Sequence, residues 1–419
     1  MDRRDVVVVG AGLAGLQCAR DLLAAGRDVQ VLEAADEVGG RVRTEEVDGF
    51  LLDRGFQLLN PAYPAVRRLV DVDALGLQQF GAGVAARLDD GLQVLADPRR
   101  EPRLAATTAR AVASRPGELW ALARWTAPLL RASVGRDRLG ARLEDRVHGT
   151  LRDSLDRAGL GGTLRRVVDR FLTGVVLDDE GGTAAAYALL LVSAFASGTP
   201  GLPAQGMRAL PRQLAGHLGG RIRLGARVRS VAPTAGGFHV AVDGETLRAR
   251  HLVVATGPRE AAGLTGTGSL DVRGVVTQWF ATDDPPTGSD LLHVDARARA
   301  RGPVVNTAVV SNAAPTYAPA GRHLVQASAL LRRGGAAPTG EEMERHAAEL
   351  LGTPGARWET VARHEVPDAL PAQPVPFVER RRVAVRGGIV VCGDHQDTAS
   401  LQGALVSGER AARAVLAVS

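Results

Sequence analysis

With 419 residues, 45% of them apolar and 23% charged, the chain has room for two substantial domains and the balance of a globular protein. Its formal net charge is +5, but 46 acidic residues interleave with 51 basic ones and no like-charged block forms, which argues against nucleic acid as a partner. Only two cysteines occur, Cys18 and Cys392, without paired spacing, which argues against a disulfide framework or a zinc site and for a reducing cytoplasm.

The first strand begins near Asp5 in "DVVVVG", apolar throughout like a strand buried on both faces of a parallel sheet, and leaves no room for a signal peptide. "LAGLQCARDLLAAG" follows with apolar residues at helical spacing and stops at Gly26. "DVQVLEA" is a second strand that carries Glu33 at its end, completing a βαβ unit. Residues 104–196 read as mostly helical, with breaks at Pro116, Pro128, Gly135 and Gly161-Gly162. Their apolar run "AAAYALLLVSAFA", 184–196, is shorter than the roughly 20 residues of a membrane span and reads as a buried core helix. Strand-like stretches follow at 222–231, 237–244 and 246–258, the last ending in "LVVAT", suited to rejoin the parallel sheet. Residues 270–380 look irregular and strand-rich, with loops at "DDPPTGSD" and "RRGGAAPTGE". The end, "GGIVVCGDHQDTASLQGALVSGERAARAVLAV", reads as strand, Gly-Asp turn, short loop and long helix.

In "GAGLAG", Gly10, Gly12 and Gly15 serve a tight bend, backbone approach to a pyrophosphate, and close packing of helix on strand. The pyrophosphate would sit on the helix start at Leu13 and Ala14, where free N–H groups and the dipole favour an anion. Glu33, beside Ala34, is placed to accept hydrogen bonds from ribose hydroxyls. In "GGRVRT", Gly39 and Gly40 let the loop fold against the phosphates and Arg41 offers them a forked guanidinium.

With this GGR and the Thr44 that follows it, the chain resembles the FAD-dependent amine oxidase and phytoene desaturase superfamily. The tail from Gly393 resembles that superfamily's C-terminal flavin motif, and "ASLQGALVSG" is most similar to the phytoene desaturase type. The resemblance implies that Asp394 binds the ribityl or phosphate region and that Leu401, Gln402, Gly403 and Ala404 face the flavin's pyrimidine edge. It implies an adenine-side backbone contact at Val228 and a third contact strand at Ala255, Thr256 and Gly257. "FLLDRGFQLLNPAYP", 50–64, resembles the segment that passes the flavin face, with Arg54, Gly55 and Phe56 near the cofactor. The implied fold is α/β: a Rossmann-like FAD-binding domain assembled from 1–60, 203–268 and 385–419. An α+β substrate domain, a helical insert plus a mixed sheet, takes 61–202 and 269–384.

The resemblance also narrows the chemistry. No Ser-Gly-Gly-Cys-Tyr-like stretch precedes the tail, so the FAD is expected to be non-covalent, with Cys392 a small buried hydrophobe. Amine oxidases of the superfamily commonly hold a water at flavin N5 with a lysine, and this chain has none. They often place an aromatic cage residue where Ser400 stands here. The leading expectation is dehydrogenation of a small hydrophobic substrate, a polyene or isoprenoid, by hydride transfer to flavin N5, with O2 or a quinone as acceptor. An amine or protoporphyrinogen-type oxidase is the alternative, and a flavin-binding protein without turnover is a third. Asp53, Gln57 and His395 are the candidate catalytic groups, each weighed against a plain structural role. In 115–136, Trp120 and Trp125 among arginines read either as a peripheral membrane contact or as the core of the helical domain. The nine histidines show no metal-ligand spacing, and no metal is expected.

Overall fold

The computed structural model describes residues 3–132, 139–268, 270–383 and 386–418, so Gly135 and Arg136 lie outside the described residues. Two seven-stranded sheets organise it. The first runs in the order Val228–Thr234, Gly237–Val242, Glu245–Val254, Arg3–Val9, Val29–Leu32 and Ile222–Arg223. Strand Glu245–Val254 pairs antiparallel with Gly237–Val242 over its first half. Its last residues pair parallel with Val390–Val391, Val253 opposite Val390. The central strand Arg3–Val9 is parallel to both neighbours, with Val9 opposite Leu32 on one side and Val254 on the other. Val6 to Val9 are at most 4% exposed, because helices and strands cover both faces of this strand. Early, middle and final segments of the chain thus meet in one sheet.

The second sheet runs Glu359–Pro371, Val272–Thr282, His323–Leu331, Val304–Val309, Leu292–Asp295, Gly83–Leu88 and Gly91–Ala96. Residues 270–380 are therefore far more regular than their sequence suggests. They also hold a helix, Gly340–Leu351, started by a reciprocal cap between Thr339 and Glu342.

Helices Ala105–Ala113, Pro116–Ala132, Leu139–Arg146, Leu151–Arg157, Gly162–Val176 and Ala185–Ser197 fill the stretch between. The break expected at Pro128 is absent: one helix continues through it to Ala132. Burial of Ala121 and Trp125 in the helical core outweighs the single backbone bond that Pro128 removes. The two tryptophans divide the readings of this stretch. Trp125 is in the core and its Nε1 donates to Ser154 Oγ at 3.1 Å, whereas Trp120 is 72% exposed. Among the described residues no helix is long and apolar enough to cross a membrane.

Candidate functional site

Strand Arg3–Val9 delivers Gly10 to the start of helix Leu13–Ala24. A Cβ on Gly15 would lie 2.0 Å from the Gly10 carbonyl oxygen, and one on Gly10, whose φ is +106°, would lie 2.8 Å from the Ala255 oxygen. Only glycine lets this helix seat so tightly on the strand ends, with Thr256 and Gly257 continuing from Ala255. The helix has no side-chain cap at Gly12, and the space above Gly12 is open. Its first amides therefore have no internal acceptor, as an anion-binding terminus requires. Glu33 accepts from Ala11 N–H at 2.6 Å and from Ala35 N–H at 2.9 Å, which fixes its carboxylate beside this turn. Gly39 N–H donates to the Ala11 carbonyl at 2.8 Å and lays the Gly39–Gly40 loop alongside. Ala226 N–H donates to the Glu33 carbonyl at 2.7 Å, which brings Val228 and its strand to the same end, next to Ala34.

The Arg41 guanidinium bonds to Asp394 Oδ1 at 2.5 Å and to the Ala369 carbonyl at 2.9 Å. The Arg41–Asp394 pair joins the first and last motifs. Arg54 is solvent-exposed and sits 3.4 Å from the Glu45 carboxylate, while Gly55 beside it is buried. Phe56 packs edge-on against Phe80 with ring centroids 5.9 Å apart.

The three catalytic candidates occupy unlike environments. Asp53 is 2% exposed; its Oδ1 accepts from Thr44 Oγ1 at 2.5 Å and Met207 N–H at 3.0 Å, and its Oδ2 accepts from Tyr317 Oη at 2.9 Å. Burial, against the pull of those donors, pushes its carboxyl up to about 6. Three donors from three chain segments make Asp53 a buried structural hub. Gln57 Nε2 donates to the Arg41 carbonyl at 3.0 Å, while its Oε1 is buried without a partner. His395 follows Gly393 and Asp394, is 3% exposed, and neither ring nitrogen has a partner. Burial lowers its imidazole to about 4, so it is neutral near pH 7.

The tail helix, Leu401–Ala417, begins at Ser400, whose Oγ accepts from Gly403 N–H at 3.0 Å. A Cβ on Gly403 would lie 1.9 Å from the Thr398 carbonyl oxygen. Gln402 Oε1 accepts from Ala65 N–H at 2.8 Å and ties the tail helix to helix Pro64–Leu69. Tyr187 Oη donates to the Ala399 carbonyl at 2.7 Å and pins the loop just ahead of the tail helix. The orphaned atoms of Gln57 and His395, the uncapped helix start and the glycine cradle all fit a bound dinucleotide.

A cleft of about 830 Å³ opens beside the tail helix. Thr398, Ser400 and Gln402 line it at the start of the tail helix, and helix Ala185–Ser197 forms one wall through Leu190, Leu191 and Ala194. Tyr63 and Tyr187 line it too. Apart from Gln402, no residue expected at the cofactor or at the chemistry lies in this cleft. Tyr187 carried one signal in the sequence: the single phenol in an Ala/Leu-rich helix needs a partner when buried.

A family model described as flavin containing amine oxidoreductase matches residues 13–416. The chain is 54% identical over 77 residues to putrescine oxidase of Kocuria rosea, covering 18% of this chain and 16% of that one. It is 43% identical over 95 residues to phytoene dehydrogenase of Streptomyces griseus, covering 21% of this chain and 18% of that one. The sequence matches thus span about a sixth of those relatives' lengths. In three dimensions the chain is similar to a putrescine oxidase redesigned in its cofactor binding, with a TM-score of 0.70, 21% identity and 99% of each chain covered. It is equally similar to a putative protoporphyrinogen oxidase from Exiguobacterium sp. 255-15, with a TM-score of 0.70, 18% identity and all of both chains covered. The α/β fold is that of these flavoproteins, and the chain belongs to the flavin-containing amine oxidoreductase family, an oxidoreductase whose cofactor is FAD.

Proposed function

We propose that the protein dehydrogenates a small molecule with an apolar body, of polyene or isoprenoid type, held in the cleft beside the tail helix. One observation carries this reading: where the tail helix starts, the cleft is lined by Thr398, Ser400 and Gln402, small or flexible side chains with no lysine and no aromatic ring at position 400. Bound FAD supplies the hydride acceptor and stores two electrons. The chain's own part is to orient the substrate and exclude water: Leu190, Leu191 and Ala194 hold the apolar body. Ser400 and Tyr187 fix the backbone from which the tail helix starts. That helix start, with its positive dipole end, suits negative charge developing on a neighbouring ring. Neutral His395 is a buried group with a ring nitrogen able to accept a proton, and Gln57 Oε1 is a buried acceptor free for a hydrogen bond; neither lines the cleft itself. Non-covalent FAD fits Cys18 and Cys392, both buried free thiols. Electrons would leave to O2 or a quinone.

A second reading, amine oxidation, is favoured by Tyr63 and Tyr187, which together present two aromatic rings to the same cleft. Anaerobic mixing of the yellow holoprotein with a polyene series and an aliphatic amine series separates the two. Bleaching by polyenes but not amines is expected; bleaching by amines alone replaces the first reading with the second.

A further inference from the structure

The outer part of the cleft has a character that a neutral hydrocarbon does not explain. Helix Pro64–Leu69 brings Arg67 and Arg68 to it, the tail helix brings Arg410 and Arg413, and the 379–380 segment brings Arg380. Three carboxylates share these walls. Glu409 is divided between Arg68 at 2.8 Å and Arg413 at 3.9 Å, and Asp397 pairs with Arg410 at 3.0 Å. The third, Glu379, is packed against Gly140 in the wall, and burial raises its carboxyl above the ordinary value, so three carboxylates face five arginines. The Arg67 guanidinium is exposed and has no hydrogen-bond or ion-pair partner among the described residues. Positive charge is therefore in excess on one side, while Leu190, Leu191 and Ala194 line the other.

Gln402 and Arg413 both face the cleft, and eleven residues of helix separate them by about 16 Å. An apolar group beside Gln402 and a charged group at Arg413 are thus about 16 Å apart along the helix. From this geometry we infer that the ligand of the cleft is an amphipathic anion, an apolar body ending in a carboxylate or phosphate held by Arg67, Arg68 and Arg413. The inference rests on the reading of this cleft as the substrate site and narrows its substrate class. Forked guanidinium groups recognise either headgroup, and a protonated amine would meet like charge in the same place.

The test is calorimetric titration of the FAD-loaded protein with dodecanoate, dodecyl phosphate, dodecanol and dodecylamine. The same titrations are run on Arg67→Gln and on the double variant Arg67→Gln/Arg413→Gln, each checked for FAD content. At least one anion is expected to bind about tenfold or more tighter than dodecanol, and the double variant should lose most of that margin with dodecanol unmoved. The margin should also shrink as salt is raised from low to physiological strength. Preference between the two anions names the headgroup. Equal binding of dodecanol, tighter binding of dodecylamine, or an anion margin indifferent to both arginines overturns the inference. Failure of the dehydrogenase reading shows separately, as a flavin that no polyene bleaches, because binding is measured here without turnover.

Discussion

Asp53 shows how far a residue's identity and its role can diverge. Beside a flavin-facing segment it looks like a base, yet Thr44, Met207 and Tyr317 all donate to it inside the protein. Asp53→Ala strands three buried donors and should cost about 3 kcal/mol or more, read by urea unfolding. Asp53→Asn keeps one of the two acceptor oxygens and should retain flavin reduction within a few-fold, which a general base would not allow. The pH dependence follows from the carboxyl's rise from 3.8 to about 6. The folded state binds this proton more tightly than the unfolded state, so the Asp53 contribution to stability falls as pH rises across that window and is level above it. Asp53→Asn should remove that slope. His395 has the opposite sign: with its pKa lowered from 6.5 to about 4, the unfolded state takes the proton first and stability is lost as pH falls through that range. His395→Gln should flatten the acid limb, measured by unfolding at pH 4.5, 5.5 and 7. The sequence named both residues, but their environments depend on Tyr317, Met207 and Arg41, which no local spacing connects to them.

At the scale of elements, the tail helix is positioned by its first turn. Gly403→Ala puts a methyl into the Thr398 carbonyl, so the helix start must shift; the purified variant is expected to be largely colourless, while retained yellow FAD would contradict this placement. Tyr187→Phe removes the bond to Ala399 and leaves the packing, so it should loosen FAD binding several-fold at a cost of about 1 kcal/mol in stability. Some elements were legible because they obey local rules: "VVVVG" with its glycine turn, and the strand and long helix of the tail. Helix Gly340–Leu351 was also written locally, in the Thr339 and Glu342 capping box, but sits inside a stretch dominated by loop-forming residues. Pro128 misled in the other direction, because core burial of Trp125 carries the helix past it.

For the whole molecule, the sheet that carries the glycine turn draws strands from 3–32, 222–254 and 390–391. The Arg41–Asp394 pair locks its first and last contributions together. The cofactor end was readable because each of its motifs is short and keeps its own spacing. The cleft was not, because Arg67, Tyr187 and Arg413 come from distant parts of the chain and meet only through packing. The assignment of three segments to one cofactor domain, with the rest forming a substrate domain, remains our proposal; in its favour, the cleft lies between the tail helix and the helical insert. Its central claim is that substrate reaches the flavin through this cleft, and Ala194→Trp would fill the apolar wall without touching the glycine cradle. The decisive measurement is the anaerobic rate of flavin reduction in Ala194→Trp holoprotein, using whichever compound bleaches the unaltered enzyme. A loss of about tenfold or more with FAD content unchanged is expected; an unaltered rate would mean that substrate reaches the flavin by another route.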